Sequence, residues 1–290
     1  MKSLALLCLC NIVWSQDINE YVTIAPGVEM PIVNLGGVRD RPSNYSSWLS
    51  NGGRGLDTAL IYGADIQTEV AQAIASSDVK RKEIFLTTKV PCCPSAGVKS
   101  CSDPLYNGSI IDNIAKDIEI LGRPLDLLLL HWPCDSIEQT EAAYAELESA
   151  LEQGITRSIG VSNFNASVLE TFKHKVPPAV NQCGHSVGHT NQSVYGSDDA
   201  TVKYCAEHGI SYSCYSPLGG LNHLDVFKDP TVKAIAAQHN VSPAQIALRW
   251  LVQQNLTVVT SSNKSQYQQE DLDLFSFSLT EDEMTRLAAL

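Results

Sequence analysis

Eight short β-rich segments recur along the chain, and helical patterns separate them. The segments are IVNLGG (32–37), GLDTA (55–59), IFLTTK (84–89), LDLLLL (125–130), RSIGVS (157–162), AVNQ (179–182), ISYSCYS (210–216) and LTVVTS (256–261). Several are apolar without a break, which is how parallel strands covered on both faces read. Parallel neighbours cannot be joined by a tight turn, so a long crossover, usually a helix, must lie between them. Ile110, Ile111, Ile114, Ile118 and Leu121 recur at helical spacing up to Gly122, and Tyr144, Leu147 and Leu151 do so up to Gly154. Ser242 before Pro243 reads as an N-cap with proline at the first helical position, and Thr280 with Glu283 reads as a capping box. This order predicts an α/β chain, a closed (β/α)8 TIM barrel. VTIAPGVEMP (22–31) reads as an N-terminal β-hairpin turning at Pro26–Gly27, placed to plug the N-terminal end of the barrel. With 290 residues and no dividing linker, one barrel accounts for the chain.

The first residues do not belong to that pattern. MKSLALLCLCNIVWSQD has one Lys, then an apolar stretch from Leu4 to Val13, with Val13 and Ser15 at the positions that precede a cleavage. The stretch is too short to span a bilayer. It is read as a signal peptide over residues 1–15, leaving the barrel as residues 16–290; the competing reading is a buried N-terminal strand. N-x-S/T sequons begin at Asn44, Asn107, Asn165, Asn191, Asn240, Asn255 and Asn263. Composition alone would supply roughly two or three, so the excess fits glycosylation in the secretory pathway, although Pro243 makes Asn240 a poorer acceptor. Of nine cysteines, Cys8 and Cys10 lie in the leader. Cys92, Cys93, Cys101 and Cys134 crowd two neighbouring loops, where one or two disulfides are expected. Cys183, Cys205 and Cys214 fit small buried thiols equally well. No pair has zinc-site spacing around it, so no metal site is expected. A net charge of −12 without a basic run excludes a nucleic-acid footprint.

In a barrel of this kind, chemistry sits where strands end and the following loops begin. The second segment ends near Asp57, with Tyr62 in the next loop; the third ends at Lys89 and the fourth at His131. Successive strand ends thus bring a carboxylate, an ammonium and an imidazole around one phenol. A lone Asp57 would read better as a loop cap and a lone His131 as a satisfied core imidazole, but four such groups at consecutive mouths read as a site. GRGLDTALIYG, IFLTTKV, LDLLLLHWP, SIGVSNF, AVNQ, CYSPLGG and SPAQIALRWLVQ, in this order, resemble the aldo-keto reductases over essentially the whole mature length.

The resemblance implies a barrel that reduces small aldehydes or ketones with NADPH or NADH extended across its C-terminal face. Its catalytic roles fall on Asp57, Tyr62, Lys89 and His131. Tyr62 would donate the proton, and Lys89 would lower a phenol pKa that is about 10 when free. Asp57 would orient Lys89, and His131 would bond the substrate oxygen. Cofactor contacts fall on Ser162, Asn163 and Gln182 for the carboxamide, on Tyr215 as the stacking aromatic, on Ser216 and Leu218 near the pyrophosphate, and on Ser262 after the last strand. Tyr215 alone would also fit a packing aromatic.

The chain departs from the family pattern at the adenosine end. Ser261, Tyr267 and Asp271 stand where the family commonly has Lys, Arg and Asn, so a clamp for the 2′-phosphate is lost and an anion is added. Lys264 is nearby but at no matching position, and the Asn263 sequon would place a glycan against the same pocket. NLGGV in the first strand and NQCG after the sixth also depart from the pattern. The loop 90–108 is long and cysteine-rich and is expected to form one pocket wall. The chain stops soon after Thr280, without a long C-terminal substrate loop, which predicts an open pocket. Two functions follow: a secreted, monomeric carbonyl reductase with a small-molecule substrate, or a secreted non-enzymatic binding or structural protein that keeps the barrel with impaired cofactor binding.

Overall fold

Strand alternation sorts the apolar residues into two populations, and the computed structural model shows where each goes. It describes residues 20–37, 43–93, 106, 108–122, 124–189, 195–219 and 224–290. The chain opens with an antiparallel hairpin, β1 (Tyr21–Ala25) and β2 (Val28–Pro31), turning through Gly27 at φ 72°. The barrel strands are β3 (Val33–Gly36), β4 (Gly55–Asp57), β5 (Phe85–Val90), β6 (Leu127–Leu130), β7 (Ile159–Ser162), β8 (Val180–Gly184), β9 (Ser211–Tyr215) and β10 (Thr257–Thr260). All pair in parallel, and β10 pairs with β3 to close the ring. Between and after them run α1 (Tyr45–Ser50), α2 (Ala64–Ser76), α3 (Ile110–Leu121), α4 (Ile137–Glu152), α5 (Ala166–Thr171), α6 (Asp199–Glu207), α7 (Pro230–His239), α8 (Pro243–Val252), α9 (Ser265–Leu272) and α10 (Glu281–Ala288).

Successive strand residues face opposite sides. Leu127 and Leu129 point into the barrel, where they pack with Phe85, Val180 and the hairpin residues Ile24, Val28 and Met30. Leu128 and Leu130 point outward into the core shared with the helices. The hairpin therefore plugs the N-terminal end, and Arg157 Nη2 donates to the Gly27 carbonyl at 3.0 Å. The same phase carries upward along each strand. On β5 it runs Phe85, Thr87, Lys89, and beyond β6 it delivers His131 to the mouth. Helix ends follow their local signals: Ser242 caps α8 and Thr280 caps α10 in capping boxes, and α3 ends at Gly122 with φ 76°.

Element limits differ from the sequence expectation by one or two residues. β4 stops at Asp57 rather than residue 59, because the Thr58 carbonyl turns to the Lys89 ammonium at 2.9 Å and the chain then coils into a tight turn over Leu60–Tyr62. β5 runs one residue past Lys89, since Val90 still pairs with Leu130. β8 reaches Gly184, opposite Tyr215. Cys92 and Cys134 are joined, Cα atoms 5.3 Å apart, across the loops after β5 and β6; this is the bridge expected between those loops. Cys93 is also disulfide-bonded, whereas Cys183, Cys205 and Cys214 are free and buried. The leader, Cys101, Asn107, Asn191 and most of the loop 90–108 lie outside the described residues. Among the described residues no helix is long and apolar enough to cross a membrane.

Candidate active site

The four strand-end groups meet. Lys89 Nζ lies 2.5 Å from Asp57 Oδ1, with both side chains almost wholly buried. It also donates to the Thr58 carbonyl and sits 5.3 Å from the centre of the Tyr62 ring. Gln182 Nε2 donates to the other Asp57 oxygen at 2.8 Å. Asp57 is thus held from both sides, as a buried carboxylate must be. The His131 ring meets Tyr62 edge-on, centroids 5.8 Å apart, and its buried Nδ1 has no hydrogen-bond partner. Trp132 steadies the next loop by donating Nε1 to the Cys92 carbonyl at 2.8 Å, so the disulfide and the histidine share a frame.

Electrostatics correct one expectation. Burial pushes the Tyr62 phenol up, and although Lys89 pulls it down, the net displacement is upward. Lys89 does not bring the phenol below its free value in this environment; desolvation of a would-be phenolate outweighs the ammonium. Tyr62 therefore carries its proton at neutral pH. Burial pulls Lys89 down, but Asp57 and then Tyr62 outweigh it, and the ammonium is favoured. Burial, with the Lys89 charge second, lowers His131 well below the usual range and leaves a neutral imidazole.

A cavity of about 330 Å³ opens over this cluster, lined by Asp57, Tyr62, Gln182, Tyr215, Ser216 and Leu218 and, on the far side, by Val259 to Ser261. Ser162 and Asn163 stand behind it. Ser162 Oγ donates to the Gln182 carbonyl at 2.7 Å, and Asn163 Nδ2 donates to the His131 carbonyl at 2.9 Å. Asn163 Oδ1 accepts the Tyr215 hydroxyl at 2.8 Å. Asn163 holds φ 62°, a conformation Asn tolerates better than most residues, and so ties His131 to Tyr215. Ser262 does not line the cavity; its hydroxyl closes a turn onto the backbone of Lys264. Gly36, Gly37, Pro217, Val259 and Thr260 do line it, and sequence reasoning does not assign any of them as a contact. Gly36 carried a usable signal, as a glycine at a strand end beside the Asp57 strand. A Cβ there would come within 2.7 Å of Val259 Cγ1.

The profile of the Aldo/keto reductase family matches residues 45–290. The chain belongs to this family. It is 36% identical over 269 residues to an aldo-keto reductase of Mycolicibacterium vanbaalenii, covering 90% of this chain and 88% of that protein. It is 32% identical over 277 residues to a 9,11-endoperoxide prostaglandin H2 reductase of Trypanosoma cruzi, covering 93% and 90%. The fold overlays an aldo/keto reductase of Brucella melitensis with TM-score 0.78 at 28% identity, covering 95% and 99%. The protein is thus an oxidoreductase of a family that reduces carbonyl compounds with NAD(P)H. The non-enzymatic alternative finds no support in these likenesses.

The reductase cavity fits the reactive end of such a cofactor. Tyr215 offers an aromatic wall, Gly36 leaves room opposite, and the polar groups converge on one floor. The far end is built differently. Among the described residues no Lys or Arg lines the cavity. Tyr267 is exposed and lies 5.0 Å under Lys264 Nζ. Asp271 is turned inward, accepting from Thr260 Oγ1 at 2.9 Å, and burial pushes its carboxyl up to about 7.

Proposed function

We propose that the protein is a secreted NAD(P)H-dependent reductase that converts a small aldehyde or ketone to the alcohol, with Tyr62 as proton donor. The observation that carries this reading is the buried Asp57–Lys89 pair set against Tyr62, with His131 facing the same phenol. Tyr215, with Gln182, Ser216 and Leu218 around it, would hold a reduced nicotinamide, which would supply a hydride for the carbonyl carbon. As the carbonyl oxygen gains charge, the Tyr62 hydroxyl gives it a proton. The phenolate formed at that moment faces the Lys89 ammonium, which Asp57 keeps charged and aimed. Neutral His131 donates its N–H toward the same oxygen and orients the carbonyl. Ser162 and Asn163 hold the Tyr215 wall and the His131 backbone in register behind the site.

Discrimination between the two nucleotides is weak in this reading, since the far end offers no fork for a 2′-phosphate. Residues 1–15 are removed as a signal peptide, residues 16–290 form the mature monomeric barrel, and glycans occupy sequons. Asn44, Asn240, Asn255 and Asn263 are exposed, and the Cys92–Cys134 bridge suits an oxidising compartment. Titration of the purified glycoprotein with NADPH and with NADH, followed by intrinsic fluorescence, tests the cofactor reading. Nucleotide oxidation over a panel of small aldehydes and ketones tests the reaction. Similar affinities and turnover are expected; no binding and no turnover would overturn the proposal. Peptide mapping of secreted material, expected to begin near Gln16 with glycosylated Asn, tests the address, and an intact Met1 without glycan overturns it.

A further inference from the structure

A second group of ligand-type side chains lies outside the cavity, where β8 passes toward α6. His185 follows directly on Gly184, and its backbone N–H donates to the Tyr215 carbonyl at 3.3 Å. The chain then doubles back. His189 N–H donates to the Ser186 carbonyl at 3.1 Å, and Gly188 takes φ 70° inside that turn. Such a turn needs a residue without the Cβ penalty at positive φ. A Cβ on Gly188 would also come within 2.8 Å of Leu224. The turn brings the two imidazoles together, centroids 4.1 Å apart and planes tilted by 48°. Asp199, in the first turn of α6, brings Oδ1 to 3.1 Å from His189 Nε2. One ligand atom from each of His185, His189 and Asp199 lies within 4.8 Å of the other two.

We propose that His185, His189 and Asp199 form a site for one first-row divalent cation of zinc-like chemistry, with three protein ligands and a fourth position open to solvent. Two imidazoles and a carboxylate are a donor set that such cations favour. With bonds of about 2.0–2.2 Å, tetrahedral ligand atoms stand roughly 3.3–3.5 Å apart. The His189–Asp199 pair already stands near that spacing, and rotation of these two outer side chains closes the rest. His185 is the preset member. It is 4% exposed, and its Nδ1 is buried without a hydrogen-bond partner. Its ring is fixed against Trp250, stacked at 6.1 Å, and edge-on to Tyr212 at 5.8 Å. A buried nitrogen with no partner costs stability, a cost that ligation through Nδ1 would relieve. The spacing H-x3-H in GHSVGH was legible, but the third ligand lies ten residues on and is brought back only by the fold.

The site sits one residue beyond the Gly184–Tyr215 pairing, so a bound cation would brace the backbone behind the aromatic wall without entering the cavity. The test uses the whole, tag-free, metal-stripped glycoprotein in the absence of nucleotide. It is titrated with Co2+, read by visible absorption, and with Zn2+, read by calorimetry and by melting temperature. Expected are one saturable equivalent, a cobalt band of low-symmetry coordination, and a higher melting temperature with zinc. His189→Ala and Asp199→Asn, both toward the surface, should each weaken binding about 10-fold or more and cancel the zinc-induced rise. The melting temperature of either metal-free variant should match that of the metal-free parent, which separates ligand loss from misfolding. Absence of a saturable equivalent, or parental affinity in either variant, overturns the proposal.

Discussion

The ends of β4 and β8, with Lys89 of β5 behind them, and the segment from the end of β10 border one cavity but hold their polar groups in opposite ways. At the first, Asp57, Lys89 and Gln182 bond to one another deep in the barrel, and each has its position set by a strand ladder. At the second, Ser261 and Tyr267 are exposed, and Asp271 faces back into the protein onto Thr260. A buried ion pair tolerates almost no single change, because removing one partner strands the other charge. A surface helix such as α9 accepts substitution with little effect on the fold. The contrast explains how substitutions after β10 can accumulate without disturbing the buried Asp57–Lys89 pair.

Four changes sharpen or break this contrast. The largest effect belongs to Tyr62→Phe, which removes the proposed proton donor and nothing that holds the barrel. Turnover should fall about 10²–10⁴-fold, with nucleotide affinity by fluorescence titration nearly unchanged. Retained turnover would place the proton donor elsewhere. Next, Lys89→Met leaves Asp57 buried with Gln182 as its one side-chain partner. It should cost about 3–5 kcal/mol in urea unfolding, and a cost under about 1 kcal/mol would mean the pair is not buried in solution.

Asp271→Asn comes third, and its effect depends on pH. The folded carboxyl titrates at about 7, above an unfolded value of about 3.9. Below about pH 3 both states hold the proton, so aspartate and asparagine should be equally stable. As pH rises through this window, the unfolded chain releases its proton first, and the native protein loses stability relative to the variant. Above pH 7 the difference levels off at about 2–4 kcal/mol in favour of the variant. A variant no more stable at pH 8 than the parent would show an Asp271 that ionises freely. The smallest effect is expected from Ser261→Lys combined with Tyr267→Arg. Both side chains are exposed, so solvent screens the new charges, and the ratio of NADH to NADPH dissociation constants should rise only about 10–10²-fold. An unaltered ratio would show that the nucleotide's far end does not reach this segment.

Local order was open to reading from sequence. The unbroken apolar runs determined eight parallel strands, Ser242–Pro243 and Thr280–Glu283 determined two helix starts, and the end of the third run placed Lys89 at the barrel mouth. These are short-range facts, set by side-chain period and by hydrogen bonds that a helix end must find nearby. Strand limits were less legible because they depend on competition. The Thr58 carbonyl had to choose between a neighbouring strand and an ammonium 31 residues away.

Only the tertiary structure decided what distant residues do to one another. Gln182 meets Asp57 across 125 residues, and one of its two amide hydrogens is already given to that carboxylate. Cys92 is joined to Cys134, a choice that crowding of four cysteines left open. Ser162 and Asn163 stand behind Tyr215, bonded to each other. The net displacement of the Tyr62 pKa was misjudged from sequence for the same reason: Lys89 does lower it, but the burial that outweighs Lys89 belongs to the folded environment. Desolvation acts through the atoms that surround a group in space, and nothing in the spacing of Asp57, Tyr62 and Lys89 along the chain encodes how much water the barrel mouth excludes.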